Sequence, residues 1–249
     1  MFVAASSECF PDLSYSDVLD RLVDLEYTAL DLAIHETGGH LRPSEVHRDL
    51  PRAIDLCRST RRITLAAFSV SIEAEGDEYF EQFASCCKLA KAVKVVTITV
   101  PSGELGTPFN AEIERLRDLV AIASLESVLV GVKTETGCIT QDPDTVAVLC
   151  DNAKGLGITL DPSHYICGPN QGANFDRVMK YVYHVQLRDS TKDKLQVRVG
   201  QGEVEYGRLI AQLSKHGYDR TLSVHMPPLE GIDHQAEMRK MRLLLESLV

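Results

Sequence analysis

The stretch YVYHVQLRDS, residues 181–190, opens as a buried strand and closes on polar and charged side chains. Strand side chains alternate between faces, so His184, Gln186 and Arg188 project together while Val185, Leu187 and Asp189 project the other way. A row of hydrogen-bonding groups where a core belongs reads either as an edge strand with one wet face or as a strand that opens into a site. The rest of the chain favours the second reading. Seven further apolar, β-branched segments recur with it: FVAASS (2–7), YTALDLAI (27–34), RITLAAFSV (62–70), KVVTITV (94–100), SVLVGVKTE (127–135), GITLDPSH (157–164) and TLSVHM (221–226). Their starts lie about 30 residues apart, the length of a strand-helix unit.

Between these segments lie amphipathic stretches. In NAEIERLRDLVAIAS, Ile113, Leu116, Leu119, Val120 and Ala123 repeat at helical spacing, and in DHQAEMRKMRLLLESLV the residues Met238, Met241, Leu244, Leu245 and Leu248 form one packing face. Near-continuous apolar strands alternating with helices read as a parallel sheet covered by helices, and eight such units close a barrel. The expectation is an α/β protein, a (β/α)8 TIM barrel, as one domain over residues 1–249. No linker-like stretch interrupts the rhythm.

The formal charge of −10 argues against a general affinity for nucleic acid or for anionic membrane. No apolar run approaches membrane-span length, and MFVAASSECF lacks a basic start followed by an apolar stretch. A cytoplasmic location is expected, and the oligomeric state is left open, a homo-oligomer included. The seven cysteines are odd in number and without CxxC spacing, which argues against a disulfide framework or a thiolate zinc site, and Cys86 and Cys87 read as core.

In a parallel barrel the C-terminal strand ends share one mouth, where chemistry resides. Strand ends five to eight bring Glu135, Asp161 with His164, Gln186 and His225 toward that mouth. Singly, each has an ordinary explanation: a helix cap, a turn before Pro162, a hydrogen-bonded core histidine. Jointly, two carboxylates, an amide and imidazoles suit one divalent ion, Mg²⁺, Mn²⁺, Co²⁺ or Zn²⁺. His35, Glu36 and His40 follow the second strand near the same mouth, as substrate contacts or as a solvated glycine turn. The basic loop from Arg188 to Arg198 is expected to cover the mouth, with Arg198 a contact for a phosphate group.

VKTETG, LDPSH, HVQLRD and GQGEVEYGRLIAQLSKHGYDRTLSV resemble, in order and spacing, the xylose-isomerase-like TIM-barrel superfamily of sugar isomerases and epimerases. The resemblance implies a divalent metal held by Glu135, Asp161, Gln186 and His225, with His164 contacting substrate. It departs from the family at strand eight, where His225 stands in place of the usual glutamate. The implied activity is isomerisation or epimerisation of a small ketose or hydroxyketone, free or phosphorylated, through an enediolate. Glu135 would be the base and His225 the acid or second base, and His164, His35 and Arg198 would bind substrate. The alternatives are a polyol dehydratase of the same superfamily and a non-catalytic sugar-binding or sensor barrel. An endonuclease IV-like activity is disfavoured by Gln186 and by the net charge.

Overall fold

Each apolar segment forms a strand in a computed structural model that describes Met1–Val249. The strands are β1 (Phe2–Ser6), β2 (Ala29–His35), β3 (Thr64–Ser71), β4 (Thr97–Val100), β5 (Leu129–Lys133), β6 (Leu156–Leu160), β7 (Val182–Leu187) and β8 (Thr221–Val224). All neighbours are parallel, and β1 returns to β8 with Phe2 opposite Thr221 and Ala5 opposite Val224, so the sheet closes as a (β/α)8 barrel.

The outer layer is formed by α1 (Tyr15–Asp24), α2 (Pro43–Arg48), α3 (Leu50–Arg58), α4 (Gly76–Ala92), α5 (Phe109–Leu125), α6 (Pro143–Asn152), α7 (Ser163–Ile166), α8 (Tyr206–Lys215) and α9 (His234–Glu246). On α5, Ile113, Leu116, Leu119 and Ala123 are buried, as their spacing predicts; on α9, Met238, Met241 and Leu245 are buried, while Leu248, beyond the end of the helix, is exposed. Cys86 and Cys87 are buried on α4, and all seven cysteines are free. No helix is long and apolar enough to cross a membrane.

The strand-helix alternation weakens between β6 and β7, where only the single turn α7 and a 3-10 segment, Asp176–Tyr181, connect the strands. The intervening GPNQGANF carries two glycines, a proline and two asparagines, residues that favour turns over helix.

The barrel interior is polar near the mouth. Thr99 and Thr159 hydrogen-bond at 2.7 Å although β4 and β6 are not neighbours, which only inward-facing side chains can do. On β7, His184, Gln186 and Arg188 all face inward, as the alternation requires, and Asp189 faces away.

Asp189 organises the long loop that follows. Its Oδ2 accepts from the backbone N–H groups of Gly200 and Gly202, at 2.8 and 3.0 Å, and a Cβ on Gly202 would collide with its carboxylate. This explains Gly202, while Gly200 is suited to its place by a φ of +83°. Gly202→Ala is expected to destabilise the chain by about 1–3 kcal/mol, as overpacking does. Hydrogen exchange should localise the loosening to residues 196–204; unchanged protection there would remove the latch from the account.

Candidate active site at the strand ends

Strand ends surround a cavity of about 160 Å³, lined among others by Glu8, His35, Lys133, Glu135 and Gln186, with the hydroxyls of Ser69, Ser71 and Thr99. A larger groove of about 350 Å³ lies outside the barrel against α8, lined by Phe175, Asp176, Glu205 and Arg208 among others. It lacks the convergence of strand ends that makes the smaller cavity the candidate site.

Glu135 stands two residues beyond β5, in a turn latched by Thr140, whose Oγ1 donates to the Lys133 carbonyl at 2.7 Å and accepts from the Glu135 N–H at 3.3 Å. Gly137 makes the turn possible with φ of +86°. The Glu135 carboxylate is about one third exposed and lies 3.8 Å from the ammonium of Lys133.

Gln186 is fixed from below. Its amide nitrogen donates to Asp31 at 3.0 Å and to Ser69 at 3.2 Å, which leaves Oε1 buried without a partner. Asp31 also faces His184 at 3.0 Å and accepts from Ser69 and Ser223, so one buried carboxylate gathers donors from β3, β7 and β8. Burial alone would raise its pKa; the attraction and hydrogen bond of His184, with the hydrogen bond of Gln186, outweigh that and hold it below the usual carboxylate value.

Asp161, fully buried, follows β6. Its Oδ1 accepts from the Ser163 N–H at 3.0 Å, and its Oδ2 accepts from Nε and Nη2 of Arg188 at 3.0 and 2.8 Å. Burial would raise its pKa, but Arg188 first, then His164, pull it below the ordinary value. Arg188 also donates to Nδ1 of His225. An arginine has no acceptor, so that nitrogen accepts, and Nε2 of His225 carries the hydrogen it gives to Glu8 at 3.1 Å. At Glu8 burial is likewise outweighed, first by the hydrogen bond from His225 and then by the charges of His35 and Lys133, which hold the carboxyl well below its usual range.

His164 accepts from the Thr136 N–H at Nδ1, 3.1 Å, with its Nε2 3.7 Å from Asp161. Burial pushes its pKa down and Asp161 opposes this. His35 lies 3.9 Å from Glu8, and its pKa too is lowered by burial.

A group with a depressed folded pKa contributes stability above its unfolded value, near pH 4 for a carboxyl, and that contribution is lost as pH falls toward the folded value. Asp31 and Asp161 both fall in this class. Urea unfolding at pH 7 and pH 3 is therefore expected to show an acid-side loss that is smaller in Asp31→Asn. Equal losses in both proteins would free Asp31 of this role.

Residues 19–242 match the xylose isomerase-like TIM barrel family. The chain belongs to that family. Among solved structures of the same fold, a xylose isomerase-like TIM barrel protein from Mycobacterium smegmatis, in complex with magnesium, superposes with a TM-score of 0.79 at 12% identity, covering 99% of this chain and 97% of that one. D-psicose 3-epimerase from Clostridium cellulolyticum H10, with D-tagatose, gives 0.74 at 11% identity over 100% and 99%. The probable 3-DHS dehydratase AsbF from Bacillus anthracis gives 0.73 at 14% identity over 99% of each chain. No curated protein sequence matches the chain.

The expected four metal ligands of a xylose isomerase-like barrel do not form a cation cage in this chain. Arg188 takes the outer oxygen of Asp161 and reaches His225, whose other ring nitrogen is held by Glu8. No three His, Cys, Asp or Glu side chains are grouped so that they could hold a metal ion. The donor set therefore does not fit a divalent ion, and two resident cations, Lys133 and Arg188, stand among the groups that were expected to bind it.

Of the expected substrate contacts, His35 lines the cavity, while His164 lies outside its lining beside Asp161. Arg198 lies 3.5 Å from Glu237 of α9 and does not line the cavity. Glu36 holds Ser44 of α2, and His40 contacts the Phe10 carbonyl, so the glycine-turn reading fits both. Glu8, Asp31 and Lys133 were missed. Strand alternation was the available signal for Lys133, which shares the parity of Glu135.

Proposed function

We propose that the chain is an intramolecular isomerase or epimerase that moves a proton between carbons of a small, unphosphorylated ketose or hydroxyketone. The observation that carries this reading is the Glu135 carboxylate at the rim of a small polar cavity, beside the Lys133 ammonium and with the unpaired Oε1 of Gln186 in the same lining. A cavity of about 160 Å³ suits a small polyol, since drug-sized ligands occupy about 300–1,000 Å³.

Glu135 takes the proton next to the carbonyl, and Gln186 accepts a substrate hydroxyl, its amide held in that orientation by Asp31. Ser69, Ser71 and Thr99 offer further hydroxyl partners. His225, with both ring nitrogens engaged, orients Glu8. Lys133 and His35 are the only basic side chains on the cavity wall, which favours a substrate without phosphate. A solved structure of the same fold, an epimerase crystallised with a ketose, is in keeping with the reading.

One observation favours a binding protein instead: Asp161 and His225 are already satisfied by partners within the chain. Solvent-deuterium incorporation into dihydroxyacetone, erythrulose, fructose and tagatose, followed by proton NMR, separates the two. Binding of a ketose with no incorporation, with or without added Mg²⁺, Mn²⁺, Co²⁺ or Zn²⁺, would refute the enzyme reading in favour of the binding one.

A further inference from the structure

Lys133 is the last residue of β5, and its position on the inner face follows from the strand itself. Two residues earlier, a Cβ on Gly131 would meet Thr159 Oγ1 at 2.8 Å, so Gly131 looks inward at an inward-facing threonine. Alternation then turns Lys133 inward one layer higher, into the cavity it lines. The absence of a side chain at Gly131 leaves the lysine stem unobstructed from beneath.

The ammonium lies 3.8 Å from Glu135 Oε1, beyond hydrogen-bond distance, so the pair is poised rather than closed. Its charge is also felt at Glu8, His35, Asp161 and His164. Around it the cavity wall supplies two carboxylates, Glu8 and Glu135, one imidazole, His35, and the amide of Gln186. Behind that wall Arg188 fills the space between the ends of β6 and β8, taking Asp161 and reaching His225. A dication brought into this mouth would face a guanidinium and an ammonium and find the Asp161 carboxylate already bonded to Arg188.

We propose that Lys133 does at this mouth what a divalent ion would otherwise do, holding the ligand's carbonyl and neighbouring hydroxyl oxygens, while Arg188 occupies the remaining ligand positions, so that the site works without metal. The ammonium has three donors, enough to bridge two oxygens and still face Glu135. In the step, the C–H bond breaks toward Glu135, which takes the proton. The electron pair forms the carbon–carbon double bond, and the carbonyl oxygen becomes an oxyanion against Lys133. Protonated Glu135 returns the proton to the neighbouring carbon, and the hydroxyl proton passes between the two oxygens across the ammonium. Nothing is oxidised or reduced overall, and no co-reactant is needed. The catalytic part rests on the enolisation reading above; the exclusion of metal does not.

The test uses the full chain after EDTA treatment, with two readouts. Calorimetric titration with Mn²⁺ and with Zn²⁺ is expected to show no stoichiometric binding. The double variant Lys133→Glu, Arg188→Gln, which removes both cations and adds a carboxylate, is expected to gain one Mn²⁺ per chain, at least 100-fold tighter. Lys133→Gln alone serves if the double variant does not fold, with a weaker gain. Deuterium incorporation into dihydroxyacetone, erythrulose and fructose is expected to be unchanged by EDTA. Lys133→Met should lower it about 100-fold or more, as loss of an oxyanion donor does, and Lys133→Arg should retain part of it. Stoichiometric Mn²⁺ or Zn²⁺ binding by the unsubstituted chain, abolished by Asp161→Asn, would overturn the proposal. So would incorporation that appears only when a divalent ion is added, an outcome that leaves the enolisation reading standing. If no probe incorporates deuterium under any condition, the enolisation reading fails and the titration alone decides the exclusion of metal.

Discussion

Glu135→Gln is expected to lower deuterium incorporation into the responsive ketose by about 10²- to 10⁴-fold, the range associated with a positioned general base. The substitution keeps the size of the side chain and one oxygen, so the turn latched by Thr140 should persist. What it removes is the carboxylate beside Lys133. Ketose affinity measured by calorimetry should change far less than the rate, because the cavity keeps Gln186, His35 and its hydroxyls. A variant with both rate and affinity intact would exclude Glu135 as the base and move attention to Glu8, the other carboxylate on the cavity wall.

The largest stability effect should come from Arg188→Met. Asp161 is fully buried, and both Arg188 contacts fall on the same carboxylate oxygen. Removing the guanidinium leaves a buried charge uncompensated, at a cost of about 3–5 kcal/mol. For a chain of this size that lowers the melting temperature by on the order of 10 °C. The second variant decides the cause. Asp161→Leu combined with Arg188→Met removes both charges, and replacing a whole buried pair by apolar groups is often neutral, so the double variant should recover most of the loss. If the double variant is as unstable as Arg188→Met, the destabilisation comes from lost packing of the arginine stem instead.

The barrel was legible because its signals are periodic. Eight apolar segments, a helical repeat on α5 and a methionine face on α9 each follow from burial alone, and burial is what the spacing of apolar residues records. The inward row of His184, Gln186 and Arg188 was legible for the same reason, from alternation within β7. The wiring of the site was not. Nothing local to RDS says that Arg188 pairs with Asp161, 27 residues earlier, rather than with a phosphate, because long-range ion pairs leave no period in the sequence. The same holds for Asp31, an inward carboxylate within an otherwise apolar strand, and for Glu8, which meets His225 from the far end of the chain. Family resemblance supplied a metal-ligand pattern, and Lys133 and Arg188, the two cations on which the metal-free reading rests, each lie two residues from one the pattern named, Glu135 and Gln186.

Asp31 also constrains the order in which the chain can fold during synthesis. Its partners lie 38, 153, 155 and 192 residues farther along, at Ser69, His184, Gln186 and Ser223. When the first half of the barrel has left the ribosome, only Ser69 is present to meet that carboxylate, and a charge buried with one hydroxyl partner is strongly unfavourable. The N-terminal half-barrel is thus kept from settling into a dry, closed core of its own. Closure must wait for β7 and β8, and with it the pairing of β1 to β8 that seals the sheet. One acidic residue near the start of the chain therefore biases a slow, long-range topology against premature compaction, so that the nascent half stays open to the strands it needs.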